Sequence, residues 1–257
     1  MAFCEKHQRE YQPTVSRFGG VDIPTPCPDC AAEAAAEFAR INQKQVANEL
    51  RSYKDDREIR NAEKRFDRVG IPPRFRSRSF SNFKCDDKGQ ADALRRTKSY
   101  SQRILAGGCG GLILRGSPGT GKTHLACAVG IEFEKAGHSV MFLTVVEMIR
   151  KLRECYRANS DIKLQQAIDS FRDLDLLILD EVGVQSGTDD ELLLLIDVIN
   201  ARYGWLKPTV LISNMEISEI TSLLTERVVD RMREDGGALI EFTWKSFRQN
   251  AAKFHAA

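Results

Sequence analysis

Eight residues, Gly116-Ser117-Pro118-Gly119-Thr120-Gly121-Lys122-Thr123, satisfy the phosphate-binding spacing G-x-x-x-x-G-K-[ST] at every fixed position. The glycines let the backbone approach an anion closely and visit positive φ. Lys122 is placed to reach the β- and γ-phosphates of a nucleotide, and the Thr123 hydroxyl to sit on Mg²⁺. Such a loop needs a strand before it and a helix after it, because the strand fixes the turn and the helix N-terminus aims N–H groups at phosphate. Gly111 to Arg115 reads as a short buried strand and His124 to Lys135 as a helix, so both flanks are present.

Further along, Leu176-Leu177-Ile178-Leu179-Asp180-Glu181 is an apolar run ending in two carboxylates, about 60 residues after the loop. In a phosphate-loop ATPase that places Asp180 to assist Mg²⁺ and Glu181 to polarise the attacking water. The strand Thr209 to Ser213 ends at Asn214, whose amide suits contact with a γ-phosphate or with that water. Glu226 to Arg233 carries Arg227, Arg231 and Arg233, and the first two share a helix face. An arginine there could complete a neighbouring subunit's site or make an ordinary surface ion pair. Arg248 follows the final strand and could return to the phosphates.

A second constellation lies at the amino end. Cys4-x-x-His7 and Cys27-x-x-Cys30 flank a stretch rich in Pro and Gly, the pattern of a closed four-ligand zinc site. Four protein ligands leave no position for substrate, so the chemistry is structural. The alternative is coincidence, with the thiols free. The remaining cysteines of the seven are scattered singly and read as small core or surface residues, and the odd count argues against a disulfide framework.

The elements that must position these groups fall into three stretches. Residues 1–69 join the zinc knuckle to a run of strong helix formers whose second half is crowded with Lys and Arg. That helix is either an extended partner-binding arm or a solvated linker. Residues 70–106 comprise a linker opened by Gly70-Ile71-Pro72-Pro73 and an amphipathic helix from Lys88 to about Ala106. The linker alternates arginine with Phe75, Phe80 and Phe83. These aromatics either grip single-stranded nucleic acid or, the preferred reading, anchor the linker onto the next domain. From residue 107 strands alternate with helices, predicting an α/β domain with a five-stranded parallel sheet. Helices are predicted at about 122–136, 146–159, 162–172, 189–203 and 216–234, the last in two pieces.

With 257 residues, 42% hydrophobic and 29% charged, the chain has the composition of a soluble globular protein. No apolar run is long enough for a membrane span, and the first residues lack a signal-peptide core, so a cytoplasmic location is expected. A net charge of +2 means that any nucleic-acid binding must rest on local patches.

Taken together, Gly-Ser-Pro-Gly-Thr-Gly-Lys-Thr-His, Leu-Leu-Ile-Leu-Asp-Glu-Val-Gly, Ile-Ser-Asn and Glu-Arg-Val-Val-Asp-Arg-Met-Arg resemble the bacterial replicative helicase loaders of the DnaC and DnaI type and the related IstB transposition ATPases. The similarity runs from about Phe66 to Arg248. The resemblance implies an AAA+ fold without a C-terminal helical lid, with the chain ending about nine residues after Arg248. It implies nucleotide binding by Gly116 to Thr123 with His124, and Mg²⁺ held by Thr123 and Asp180. It further implies hydrolysis by Glu181, sensing by Asn214 and Arg248, and Arg231 as an arginine finger, with Arg227 and Arg233 as competing candidates. The family also binds single-stranded DNA through a helix after the second strand, here carrying Arg153, Tyr156 and Arg157. For Tyr156 base stacking and core packing are both open. The resemblance implies as partners the replicative DNA helicase, single-stranded DNA and further copies of the chain, with no membrane. There are two departures. A cysteine knuckle is a DnaI-type feature that the best-known DnaC loaders lack, and the segment after Glu181 has no aromatic for a second stacking contact. The expected function is ATP-dependent loading of the replicative helicase onto single-stranded DNA, with ATP, Mg²⁺ and Zn²⁺ as cofactors. An IstB-like transposition helper and a zinc-knuckle adaptor using ATP as a structural switch are the alternatives.

Overall fold

The computed structural model describes residues 1–18, 21–37, 40, 44, 69–155, 163–184 and 188–247. The chain divides into two units, Met1–Ala62 and Glu63–Ala257. In the first, β1 (Ala2–Cys4) pairs antiparallel with β2 (Arg9–Tyr11), and β3 (Val15–Phe18) pairs antiparallel with β4 (Val21–Pro24). Helix α1 follows over residues 28–37, and residues 40 and 44 are helical too. Pro28 opens it where a missing N–H costs nothing, and the Cys27 carbonyl accepts the first turn's bond from Ala31 at 2.9 Å.

The second unit is built on a five-stranded sheet in the order β6-β7-β8-β5-β9, every pairing parallel. Its strands are β5 (Leu112–Gly116), β6 (Val140–Thr144), β7 (Leu176–Val182), β8 (Thr209–Ser213) and β9 (Ala238–Phe242). These are the expected five: the sequence places strands at 111–115, 139–144, 176–180, 209–213 and 238–243, and each observed strand lies within two residues of those bounds. A parallel sheet covered on both faces needs apolar residues pointing both ways, and the strands supply them. Leu112 and Leu114 enter the core under α2 (Lys88–Leu105) and α3 (Lys122–Lys135). Ile113, between them, enters the opposite core with α4 (Val145–Glu154), α5 (Leu164–Arg172), α6 (Asp189–Gly204), α7 (Ile217–Leu224) and α8 (Glu226–Arg233).

The two-piece final helix is found, broken at Thr225, whose φ of 72° is incompatible with continuing a helix. One boundary needs correction. The helix expected over 146–159 ends at Glu154 with Cys155 as its cap, and residues 156–162 lie outside the described set.

The linker reading is decided by burial. Ile71, Phe80 and Phe83 are buried in the same core as α3, so these phenylalanines are anchors and not free stacking groups. Helix α2 is fastened to the sheet by polar bonds as well. Arg96 donates to the Leu239 carbonyl on edge strand β9 at 2.8 Å, and Arg103 donates to the carbonyls of Cys109, Asp235 and Gly236. Covering an edge in this way blocks pairing with another strand. Arg202 of α6 is fully buried and donates to the carbonyls of Phe171, Arg172, Leu174 and Pro208 and to the Thr209 hydroxyl. It ties the end of α5 to the start of β8. Among the described residues no helix is long and apolar enough to cross a membrane.

Candidate functional site

The carboxyl ends of β5, β7 and β8 meet where a parallel sheet with crossover helices opens its crevice. The phosphate-type loop leaves β5 at Gly116, which has φ 135°. A Cβ there would stand 2.3 Å from the Phe242 carbonyl. Gly121 caps α3 at φ 103°, and a Cβ on it would press to 2.7 Å from the Phe83 ring. Both glycines are therefore required, one by β9 and the other by the linker. Lys122 is buried, and its ammonium donates to the carbonyls of Gly116 at 2.6 Å and Ser117 at 2.9 Å. The loop is held in shape from inside by its own lysine.

Two segments outside the motif brace it. The Trp244 indole donates to the Thr120 carbonyl at 2.9 Å, and the Phe247 N–H donates to the Gly119 carbonyl at 2.9 Å. Phe83 meets His124 and Phe247 edge-on, with ring centroids 5.2 and 6.4 Å apart. His124 is half-buried, which lowers its pKa, and its Nε2 lies 3.0 Å from the Ser79 carbonyl oxygen. Neither Phe83 nor Trp244 was expected at the loop. The only hint in sequence was a large aromatic in each of two polar flanking segments.

The Thr123 hydroxyl donates to Asp180 Oδ2 at 3.0 Å, so the two groups expected to share Mg²⁺ face each other. Burial raises the Asp180 pKa, against the opposing bonds from the Glu181 N–H and Thr123. A half-buried oxygen pair of this kind suits a hard cation that also meets phosphate. Glu181 is exposed and holds φ 61°, unusual for a residue with a side chain. The β7–β8 register shifts between Leu179 and Val182, and this bulge turns consecutive carboxylates in different directions. Asp180 stays by the loop while Glu181 is exposed at the carboxyl end of β7. Asn214 is exposed just past the end of β8, next to buried Ser213, whose hydroxyl donates to the Val182 carbonyl at 2.7 Å.

Arg231 lies at the other end of the sheet. Its neighbour Met232 accepts a bond from the Gly111 N–H, ahead of β5, whereas the loop begins behind β5. The Arg231 guanidinium donates to Asn200 Oδ1 at 2.6 Å and lies 4.9 Å over the Tyr203 ring. Arg227 and Arg233 are exposed. Arg248 lies outside the described residues, as do Tyr156 and Arg157. On α4, Val145, Met148, Ile149 and Leu152 are buried, leaving Arg150, Lys151 and Arg153 on the outer face. Arg153 is not free there: it pairs with Glu191 at 2.9 Å.

In the amino-terminal unit the Cys4 and Cys30 sulfurs are 3.7 Å apart, and His7 Nδ1 lies 3.6, 3.8 and 3.3 Å from Cys4, Cys27 and Cys30. A tetrahedron with metal–sulfur bonds of about 2.3 Å and a metal–nitrogen bond of about 2.0 Å has edges of roughly 3.5–3.8 Å. The four residues therefore fit a zinc ion. His7 Nε2 lies 3.1 Å from Glu33 Oε1, an arrangement that turns Nδ1 toward the thiols. Glu33 also takes the Lys6 ammonium. In sequence Glu33 reads only as a helix former.

The family model for IstB-like ATP binding protein matches residues 32–250. The replicative helicase loader DnaC of Escherichia coli K12 is 34% identical over 201 residues, covering 77% of this chain and 81% of its own. The corresponding loader of Buchnera aphidicola from Acyrthosiphon pisum is 29% identical over 213 residues, covering 83% of each. Among solved structures, the crystal structure of the DnaC helicase loader superposes with a TM-score of 0.59 at 24% identity, covering 66% of this chain and 99% of that one. AMPPCP-bound DnaA from Aquifex aeolicus superposes at 0.58 and 23% identity, covering 73% of this chain and 57% of that one. These two likenesses concern the fold.

Proposed function

The chain belongs to the IstB-like ATP binding protein family, and from that premise we propose that it is an AAA+ ATPase that loads the replicative DNA helicase onto single-stranded DNA. The observation that carries the proposal is the identity to DnaC over most of the chain, joined to a loop, a Thr123–Asp180 pair and a projecting Glu181 at one sheet end.

On this reading Gly116 to Thr123, with His124, cradle the phosphates, and Lys122 exchanges its loop carbonyls for β- and γ-phosphate oxygens. Thr123 and Asp180 would hold Mg²⁺, which supplies charge neutralisation on the phosphates. Glu181 orients and polarises the attacking water, and Asn214 reports whether a γ-phosphate is present. Arg248 follows Phe247, whose N–H bonds to the loop, and would sense the phosphates. Arg231 stands too far from its own loop to serve it, which supports a role on a neighbouring copy's nucleotide. Hydrolysis would then need self-association, and an isolated protomer would turn over slowly. Cys4, His7, Cys27 and Cys30 would hold zinc as a structural ion, and residues 1–69 would contact the helicase. Arg153, Tyr156 and Arg157, with Arg150 and Lys151, supply phosphate and stacking contacts to the strand.

Co-purification tests the reading. The full chain with ATP and Mg²⁺ should co-elute with the replicative helicase of its host. Failure to do so, with co-elution of a transposase instead, would favour a transposition helper ATPase.

A further inference from the structure

Arg153 and Glu191 form a contact that ordinary surface electrostatics does not explain. Arg153 is an exposed residue of α4, its side chain 45% accessible, whereas the Glu191 side chain is only 7% accessible. Arg153 Nη1 lies 2.9 Å from Glu191 Oε1, and Nη2 lies 3.4 Å from the Thr188 hydroxyl that caps α6. The second Glu191 oxygen, Oε2, is buried with no hydrogen-bond partner. A carboxylate this buried depends on one guanidinium reaching in from the surface, because an unpaired buried charge is strongly unfavourable. No other charged side chain is in an ion pair with Glu191 among the described residues.

The two ends of this contact lie on the two functional parts of the domain. Arg153 is one of the cations on the outer face of α4. Glu191 stands in the first turn of α6, the helix that follows β7 and its Asp180–Glu181 pair in the chain. Resting on the reading that α4 binds single-stranded DNA, we propose that Arg153–Glu191 is a latch for which DNA phosphate competes. Glu191 is then the positioning residue through which strand binding reaches Glu181. A phosphate that takes Arg153 leaves Glu191 buried with neither oxygen paired. The start of α6 must shift to rehydrate it, and α6 shares its core with Val182, the residue after Glu181. Glu181 itself sits in a backbone conformation with little intrinsic preference, so a small displacement of that core re-aims its carboxylate.

The test compares Glu191→Gln and Arg153→Met in the full chain, using a fluorescent oligothymidylate and ATP turnover with and without it. Both variants open the latch. DNA-free turnover should rise several-fold in each, and the stimulation by DNA should fall toward onefold. DNA affinity should move in opposite directions, rising about 3- to 10-fold in Glu191→Gln, where Arg153 is released, and falling in Arg153→Met, where a phosphate contact is lost. Loss of folding would lower turnover and affinity together in both variants, and that result would overturn the latch. Unchanged DNA-free turnover in both would overturn it too. A double Arg150→Ala, Lys151→Ala variant separates the two readings. If it weakens DNA binding while Glu191→Gln changes nothing, the latch alone fails. If it leaves DNA binding intact, α4 is not the DNA surface.

Discussion

Asp180 and Glu181 are adjacent in sequence and opposite in circumstance. The first is half-buried against Thr123 and the second is exposed at φ 61°. Their removal should therefore have different signatures. Glu181→Gln keeps the loop, Lys122 and the Thr123–Asp180 pair, so nucleotide affinity should stay within about threefold while turnover falls about 10²- to 10⁴-fold. Equilibrium binding of a labelled nucleotide beside a phosphate-release assay reads both quantities. Affinity and turnover falling together would place Glu181 in binding instead. Much of this site was legible, because a phosphate loop and an acidic strand end are local patterns with fixed spacing. The bracing residues were not. Trp244 and Phe83 act on Thr120 and Gly121 from segments more than 35 residues away in the chain, and long-range packing leaves no local periodicity. Glu33 was hidden for a different reason: in an alanine-rich helix a glutamate needs no further explanation.

At the scale of elements, strands were legible to within two residues because each is an apolar run bounded by polar residues. Helix ends were less so. Nothing in the pattern of 146–159 marks Cys155 as the point where the cap falls. The polar knot at the amino end of the sheet was invisible, since nothing in the local pattern singles out Asp175. There it accepts bonds from the Ser139 N–H at 3.0 Å and hydroxyl at 2.8 Å and from Lys207 at 2.9 Å, joining β6, β7 and the approach to β8. Burial pushes its pKa up, but the Lys207 and Ser139 bonds outweigh burial and bring it down to about 2. A pKa lowered on folding contributes stability that is fully present above the ordinary carboxylate value and is lost as pH falls toward 2. With its side chain 37% accessible, solvent screening limits the contribution to about 1 kcal/mol. Urea melts of Asp175→Asn should therefore show a deficit of about that size at pH 6 that shrinks near pH 2.5. An equal deficit at both pH values would mean that the charge contributes nothing.

At the scale of the whole molecule the chain consists of two units with different sources of stability. Among the described side chains of the first unit Cys27 alone is buried, and the β1–β2 hairpin and the start of α1 supply the Cys4, His7, Cys27 and Cys30 cluster, so metal binding there would contribute directly to folding. Removing zinc with a chelator should abolish the structure of this unit, seen as lost amide protection over residues 1–37. The melting of the ATPase unit should shift by no more than a few degrees. Cys27→Ser should lower zinc content from about one per chain toward zero, and an unchanged metal content would reject the ligand set. The larger unit is built on the two apolar cores that flank the sheet. Loading activity would require both units, one for the helicase and one for ATP and DNA. The most direct measurement is unwinding by the replicative helicase on single-stranded circular DNA coated with binding protein and carrying an annealed strand. The full chain with ATP should raise the unwinding rate at least tenfold, and Lys122→Ala or Cys27→Ser should each remove the increase. Equal unwinding with and without the chain would contradict the loader assignment.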